Sequence, residues 1–174
     1  MPAVEVTITY LEMEHPAMLR GRRTARAGVT FERVDPPAAD IASRFYGTVG
    51  RRYFWFERAD WTAAQWQDDL AKPGTELWIL RVDEADAGYV HLTQPAPRTR
   101  EILYLGLLSG FEGEGLGAHL LTCAVERAWE SGADRVLVNT CTLDHPRALA
   151  NYQARGFEVV RTLAEWRQLP TDAG

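Results

Sequence analysis

The chain has 174 residues, 46% hydrophobic and 25% charged, with a formal net charge of −5. That length suffices for one domain with a real core, while the acidic balance excludes a general nucleic-acid surface. No segment approaches the roughly 20 apolar residues of a membrane span, so no membrane contact is expected.

The first stretch, MPAVEVTITYLEMEHP, lacks a basic region leading into an apolar one. Cys123 and Cys141 form neither a disulfide framework nor a metal-ligand spacing. A reduced, cytoplasmic protein without a metal is the expectation.

Alternation of β-branched residues predicts strands in VEVTITYLEM and in VTFERV, Val29 to Val34. Pro36 and Pro37 break the chain, and ADIASRFYGTVG predicts a helix from Ala39 to Gly50. DWTAAQWQDDLAKPG predicts a second, with Asp60 as N-cap, Trp61, Trp66 and Leu70 on its apolar face, and Pro73-Gly74 as its stop. ELWILRVDEADAGYVHLTQ reads as two strands around an acidic turn, and EILYLGLLS, Glu101 to Ser109, as an apolar strand.

From Gly115 to Ser131 the apolar residues Leu116, Leu120, Leu121, Ala124, Val125 and Ala128 make a helical stripe, stopped at Gly132. RVLVNT is a buried-type strand. DHPRALANYQARGF is a helix with Pro146 in its first turn and Gly156 as its stop, and FEVVRT is a last strand. A helix between two apolar strands implies a parallel βαβ unit joined to antiparallel strands upstream, hence a mixed-sheet α/β (α+β) fold.

The junction GLLSGFEGEGLGAHLL places Gly113, Gly115 and Gly117 where a strand feeds a helix, the arrangement in which backbone N–H groups hold a phosphate. A P-loop is excluded because no Gly-Lys-Ser/Thr follows. GEGLGA matches a dinucleotide fingerprint formally, but the next strand ends in Asn139 and Thr140 rather than an acidic ribose ligand. The pyrophosphate of coenzyme A is the third option.

On that option the segment from Glu101 to Thr140, with DHPRALANYQARGF after it, resembles the GNAT superfamily of N-acetyltransferases. The family's Gln/Arg-x-x-Gly-x-Gly/Ala motif falls on Glu112-Gly113-Glu114-Gly115-Leu116-Gly117. Its Asn-x-x-Ala…Tyr-x-x-x-Gly-Phe pattern falls on His145, Ala148, Tyr152, Gly156 and Phe157. Glu112 and His145 depart from the usual residues. The two carboxylates of the turn are expected to face solvent, with Arg147 offsetting them.

The resemblance implies a single domain over 1–174. Residues 1–75 would supply N-terminal strands and two helices on the acceptor side, and 76–162 the cofactor-binding core. It implies splayed central parallel strands, a reduced final hairpin and an extra N-terminal strand able to compensate. It also implies acetyl-CoA as co-substrate, held by Leu105, Leu107, Gly113, Glu114, Gly115, Leu116, Gly117, Ala118 and His145. The acceptor would be a small-molecule or peptide amine, attacking directly in a ternary complex.

Attack on a thioester requires a neutral amine, so a base must take a proton. By resemblance Glu101 is that base; His91, with an ordinary pKa of about 6.5, is the rival. Tyr152 matches the helix tyrosine near the cofactor sulfur, a candidate acid. The aromatic stretch RRYFWFERADWTAAQW offers walls for an apolar or cationic acceptor, with Glu57 or Asp60 attracting an amine, or a homodimer interface. A non-catalytic CoA-binding module with the same fold is the alternative reading.

Overall fold

The computed structural model describes residues 2–170. Its elements in chain order are β1 (Ala3–Met13), β2 (Val29–Val34), α1 (Ala39–Gly50), α2 (Ala63–Leu70), β3 (Glu76–Val82) and β4 (Ala85–Ala96). β5 (Thr99–Leu107), α3 (Leu116–Glu130), β6 (Arg135–Cys141), α4 (Ala148–Ala154) and β7 (Glu158–Gln168) follow. One seven-stranded sheet runs in the order β2-β3-β4-β5-β6-β1-β7. Every neighbouring pair is antiparallel except β5 and β6, the two strands joined by α3.

Two layers of helix sandwich this sheet. The stripe on α3 buries Leu116, Leu120, Leu121, Ala124, Val125 and Ala128 against Leu92, Ile102, Val136 and Val138, with Tyr152 and Phe157 in the same cluster. On the other face α1 and α2 pack Phe45, Tyr46, Val49, Trp66 and Leu70 against Leu77, Ile79 and Tyr89. Each helix thus meets the sheet along one apolar stripe, the arrangement that a layered α/β domain requires.

The extra N-terminal strand takes a specific place. β1 lies between β6 and β7, pairing Met13 with Val136 on one side and Ala3 with Gln168 on the other. It fills the position that a C-terminal hairpin strand would otherwise take, and β7 is longer than FEVVRT, continuing through LAEWRQ to Gln168.

Between β1 and β2 the chain crosses the outside of α3. The Arg20 N–H donates to Arg155 O at 2.8 Å, the Arg22 N–H to Thr122 Oγ1 at 2.9 Å and the Thr24 N–H to His119 Nδ1 at 3.1 Å. His119 on α3 therefore lies under this strap.

Two boundaries differ from expectation. Thr62, not Asp60, caps α2: its Oγ1 accepts from the Gln65 N–H at 3.2 Å and Gln65 Oε1 accepts from the Thr62 N–H at 2.8 Å. This reciprocal box satisfies two backbone donors where a lone aspartate would satisfy one. Pro146 precedes α4, which begins at Ala148 after Arg147.

Gly156 is needed on two counts. It has φ +110°, and a Cβ there would lie 1.9 Å from Met18 O, where the strap begins. Gly47 in α1 has nothing within 4 Å of its would-be Cβ. Gly156→Ala should therefore lower unfolding free energy by about 2–4 kcal/mol, whereas Gly47→Ala should be neutral or raise it by up to about 1 kcal/mol. Urea denaturation of the two variants beside the parent chain measures both.

Candidate active site

The site begins with one extra residue in β5. His91 on β4 pairs with Tyr104, but the next residue, Leu92, pairs with Ile102, so Leu103 has no counterpart. This β-bulge bends the strand. The parallel ladder between β5 and β6 holds only from Thr99↔Arg135 to Ile102↔Val138, stopping at the bulge. Beyond it β5 stays with β4 as far as Leu107, and β6 stays with β1 as far as Cys141. The two parallel strands splay, and their facing edges line a wedge between Leu103–Leu107 and Asn139–Cys141.

Leu105 and Leu107 border this wedge, their side chains packed on the α3 side. The carbonyl of Leu107 accepts from Arg52 Nη2 at 2.7 Å. Leu105 pairs with Val90 of β4 on its other side.

The glycine turn stands at the open end of the wedge. Gly113 and Gly115 have φ +90° and +74°, left-handed conformations that glycine adopts without penalty, and nothing lies within 4 Å of a Cβ built on either. Gly115 caps α3, and the first intrahelical bond runs from the His119 N–H to Gly115 O. The N–H groups of Leu116, Gly117 and Ala118 precede that ladder and point out of the helix start, where the helix dipole favours an anion. A pyrophosphate fits this open, positively polarised corner.

The two carboxylates of the turn are accounted for. Glu112 Oε1 accepts from Arg52 Nη1 at 2.5 Å, and its Oε2 accepts from the Gly110 N–H at 3.1 Å. Arg52 holds this carboxyl below its usual range. Glu114 pairs with Arg26 on the strap, and its carbonyl accepts from Thr24 Oγ1 at 3.3 Å. The partners are thus Arg52 and Arg26 rather than Arg147, and both acids brace the loop with their charge neutralised away from the helix start.

His145 lies in the turn before α4, its Nδ1 accepting from the Arg147 N–H at 3.0 Å and its ring 6.1 Å from that of Tyr53. Its neighbour Asp144 is a hub absent from sequence expectation. Its Oδ2 accepts from Thr140 Oγ1 at 2.6 Å and the Cys141 N–H at 3.0 Å, and its Oδ1 from Trp55 Nε1 at 3.4 Å. One carboxylate so ties the end of β6 to the aromatic loop after α1. Tyr152 on α4 is 8% exposed, edge-on to Phe157, and burial raises its hydroxyl pKa above the ordinary value.

Glu101 stands opposite Thr93 in β4 and Leu137 in β6, in the last paired stretch before the splay. It is half-buried, and desolvation raises its carboxyl above the ordinary range. His91, two residues from Thr93 on β4, is 1% exposed with its ring 5.8 Å from that of Tyr104. Burial first, then the Arg58 charge, pushes its pKa down to about 4, and its Nε2 has no hydrogen-bond partner among the described residues. Glu101 is therefore the more basic and the more accessible of the two.

On the α1–α2 side a cavity of about 310 Å³ is lined by Tyr46, Trp55, Trp61 and Trp66, with Arg51 and Arg58. Arg58 lies over the Trp61 ring at 4.1 Å and bonds Asp69 Oδ2 at 2.6 Å, while Lys72 bonds Asp69 Oδ1 at 2.8 Å. Trp55 and Tyr46 both contact Tyr104, so the cavity adjoins β5 just past the bulge. Glu57 and Asp60 are not among its lining residues.

A mixed sheet splayed beside a glycine-capped helix start is an acetyltransferase-type architecture. The chain belongs to the acetyltransferase (GNAT) family, whose model matches residues 38–157. A mycothiol acetyltransferase of Corynebacterium aurimucosum is 32% identical over 73 residues, 42% of this chain and 24% of that protein.

Among solved structures, a GCN5-related N-acetyltransferase from Kribbella flavida superposes with TM-score 0.66 at 21% identity, covering 94% of this chain and 58% of that one. A tandem GNAT protein from the clavulanic acid biosynthesis pathway does so with TM-score 0.63 at 18% identity, covering 97% and 55%. An IAA acetyltransferase from Bacillus cereus gives 0.56 at 22% identity, covering 76% and 79%. The chain thus spans about a quarter of its curated relative and just over half of the first two structures.

The His91 pKa carries a stability consequence. Between pH 6.5 and about 4 the unfolded chain binds a proton at this histidine that the folded chain does not. Stability therefore falls as pH drops through that window and levels off below it, by about 3 kcal/mol at most from this group. Denaturation at pH 7 and pH 4.5 should show His91→Gln losing less stability on acidification than the parent.

Proposed function

We propose that the protein transfers the acetyl group of acetyl-CoA to a primary amine by direct attack in a ternary complex. The observation that carries this is the wedge left by the Leu103 bulge, opening toward the free N–H groups of Leu116, Gly117 and Ala118. The wedge edges suit an extended pantetheine arm, and the helix start suits its pyrophosphate. Bound there, acetyl-CoA supplies an acetyl group activated as a thioester.

The chain's own residues manage the protons. Glu101 takes one from the ammonium or from the attacking nitrogen, and burial raises its pKa, the direction that suits a base. As the C–N bond forms and the C–S bond breaks, Tyr152 gives a proton to the departing thiolate. His91, neutral and enclosed at pH 7, positions Tyr104 and the strand edge rather than exchanging protons with the acceptor.

The cavity beside Trp55 takes the acceptor. Arg58 and Lys72 share the single carboxylate of Asp69, and Arg51 makes no ion pair among the described residues. The lining holds aromatic faces and excess positive charge, which favours an amine with an apolar or aromatic body and a carboxylate.

A thiol-release assay with acetyl-CoA across amines, amino acids and peptides tests the reading; absence of both CoA binding by thermal shift and turnover overturns it. Glu101→Gln should lower kcat by about 10²–10⁴-fold at neutral pH, with the acetyl-CoA dissociation constant unchanged. The acid limb of kcat/KM should lie above the ordinary glutamate range and disappear in that variant. Arg51→Ala should raise KM for a carboxylate-bearing aromatic amine by about tenfold and leave that of its neutral amide analogue in place.

A further inference from the structure

Of the five large apolar side chains that the fold leaves exposed, four lie on one strand: Val159, Val160, Leu163 and Trp166 of β7, Trp166 being 71% exposed. β7 ends the sheet, bonded to β1 on one side and to no strand on the other. It is 11 residues long, and its sequence, EVVRTLAEWRQ, contains neither proline nor glycine. Its one register irregularity against β1 falls at Val160, so Arg161 to Gln168 runs regularly. A long, regular, apolar edge with a free row of N–H and C=O groups is a template for another strand.

We infer that this edge pairs with β7 of a second copy of the chain, antiparallel, about a twofold axis through Leu163. The charges along the strand select both partner and register. With Leu163 on the axis, Arg161 of each copy stands opposite Glu165 of the other, Thr162 opposite Ala164, and Val160 opposite Trp166. Two opposite-charge pairs and two apolar pairs result from one strand meeting itself. Moving the axis to Thr162 sets Arg161 against Leu163; moving it to Ala164 sets Arg161 against Arg167. Like charges directly opposite are destabilising, so the Leu163 register is the self-complementary one.

Within one chain the charged groups are already at the surface. The Arg161 guanidinium rests over the Tyr10 ring at 4.0 Å, and Glu165 Oε1 accepts from Arg167 Nε at 2.5 Å. The paired edges would merge two seven-stranded sheets into one continuous sheet, covering the exposed apolar row and removing the free edge from each copy. This inference stands on β7 alone and does not depend on the acetyl-transfer reading.

Sedimentation velocity on the full chain across the micromolar range tests it. The parent should be a dimer. Arg161→Glu and Glu165→Arg should each raise the dimer dissociation constant at least about tenfold, because twofold symmetry turns one substitution into two repulsive pairs. The double charge swap should restore the parent value to within about threefold, since the opposite-charge pairs are re-formed. Trp166→Ser, at a position too exposed to be needed for folding, should weaken the dimer as well, with circular dichroism confirming that each variant is folded. A parent that is monomeric throughout, single swaps that leave the dimer intact, or a double swap that fails to recover it would each overturn the proposal.

Discussion

The site depends on a constraint in the sheet: a residue of β5 unmatched against β4 bends the strand, and the parallel ladder to β6 ends beside the bend. Leu103 is that residue, and the parallel ladder stops beside it. Everything proposed for the site is arranged around the resulting opening. Glu101 lies in the last paired stretch, Tyr104 turns toward the aromatic cavity just past the bulge, and the free edges of both strands lead to the helix start. Because β5 remains fully held by β4 and β6 by β1, the opening is rigid on both banks. A gap in a sheet leaves backbone groups without sheet partners, and in the proposed function those groups hold the ligand arm.

The loop that closes the wedge shows how a local oddity can be neutralised from a distance. Glu112 and Glu114 sit beside the N–H groups that an anion would need, yet each is turned aside by an arginine remote in sequence. Arg52 reaches from the turn after α1, and Arg26 from the strap over α3. Arg52 also holds the Leu107 carbonyl, so it couples the end of β5 to the turn. Sequence inspection placed the offsetting charge on Arg147. The true partners come from tertiary packing, which no local pattern carries.

Much of the fold was legible for a physical reason: periodicity and breakers act locally. The limits of β2 and α1 follow directly from alternation, Pro36-Pro37 and Gly50, and the α3 stripe follows from its spacing. The bulge was not legible, since EILYLGLLS is a nearly uniform apolar run in which an extra residue leaves no mark. The insertion of β1 between β6 and β7 was equally hidden, because strand order depends on which edge offers the better apolar match. Within the candidate site, the glycine turn was read from its motif and Glu101 from the family resemblance. Asp144, Arg26 and Arg52 were missed because their roles lie in hydrogen bonds to distant backbone and side chains. The aromatic stretch was recognised; the cavity it walls is lined by Arg51 and Arg58, with Glu57 and Asp60 outside the lining.

The insertion of β1 has a further consequence for how the chain is assembled. β7 touches the sheet only through β1, and Ala3 stands opposite Gln168, so the first and last of the described strands lie side by side. β7 has no place to dock until β1 is in position, and closing that contact joins strands far apart in sequence. The corresponding entropy must be met late, after the local βαβ unit and the β3–β4–β5 meander have formed. β1 and β7 thus form one cooperative unit with β6 as its base, and a change that loosens β1 releases both strands together.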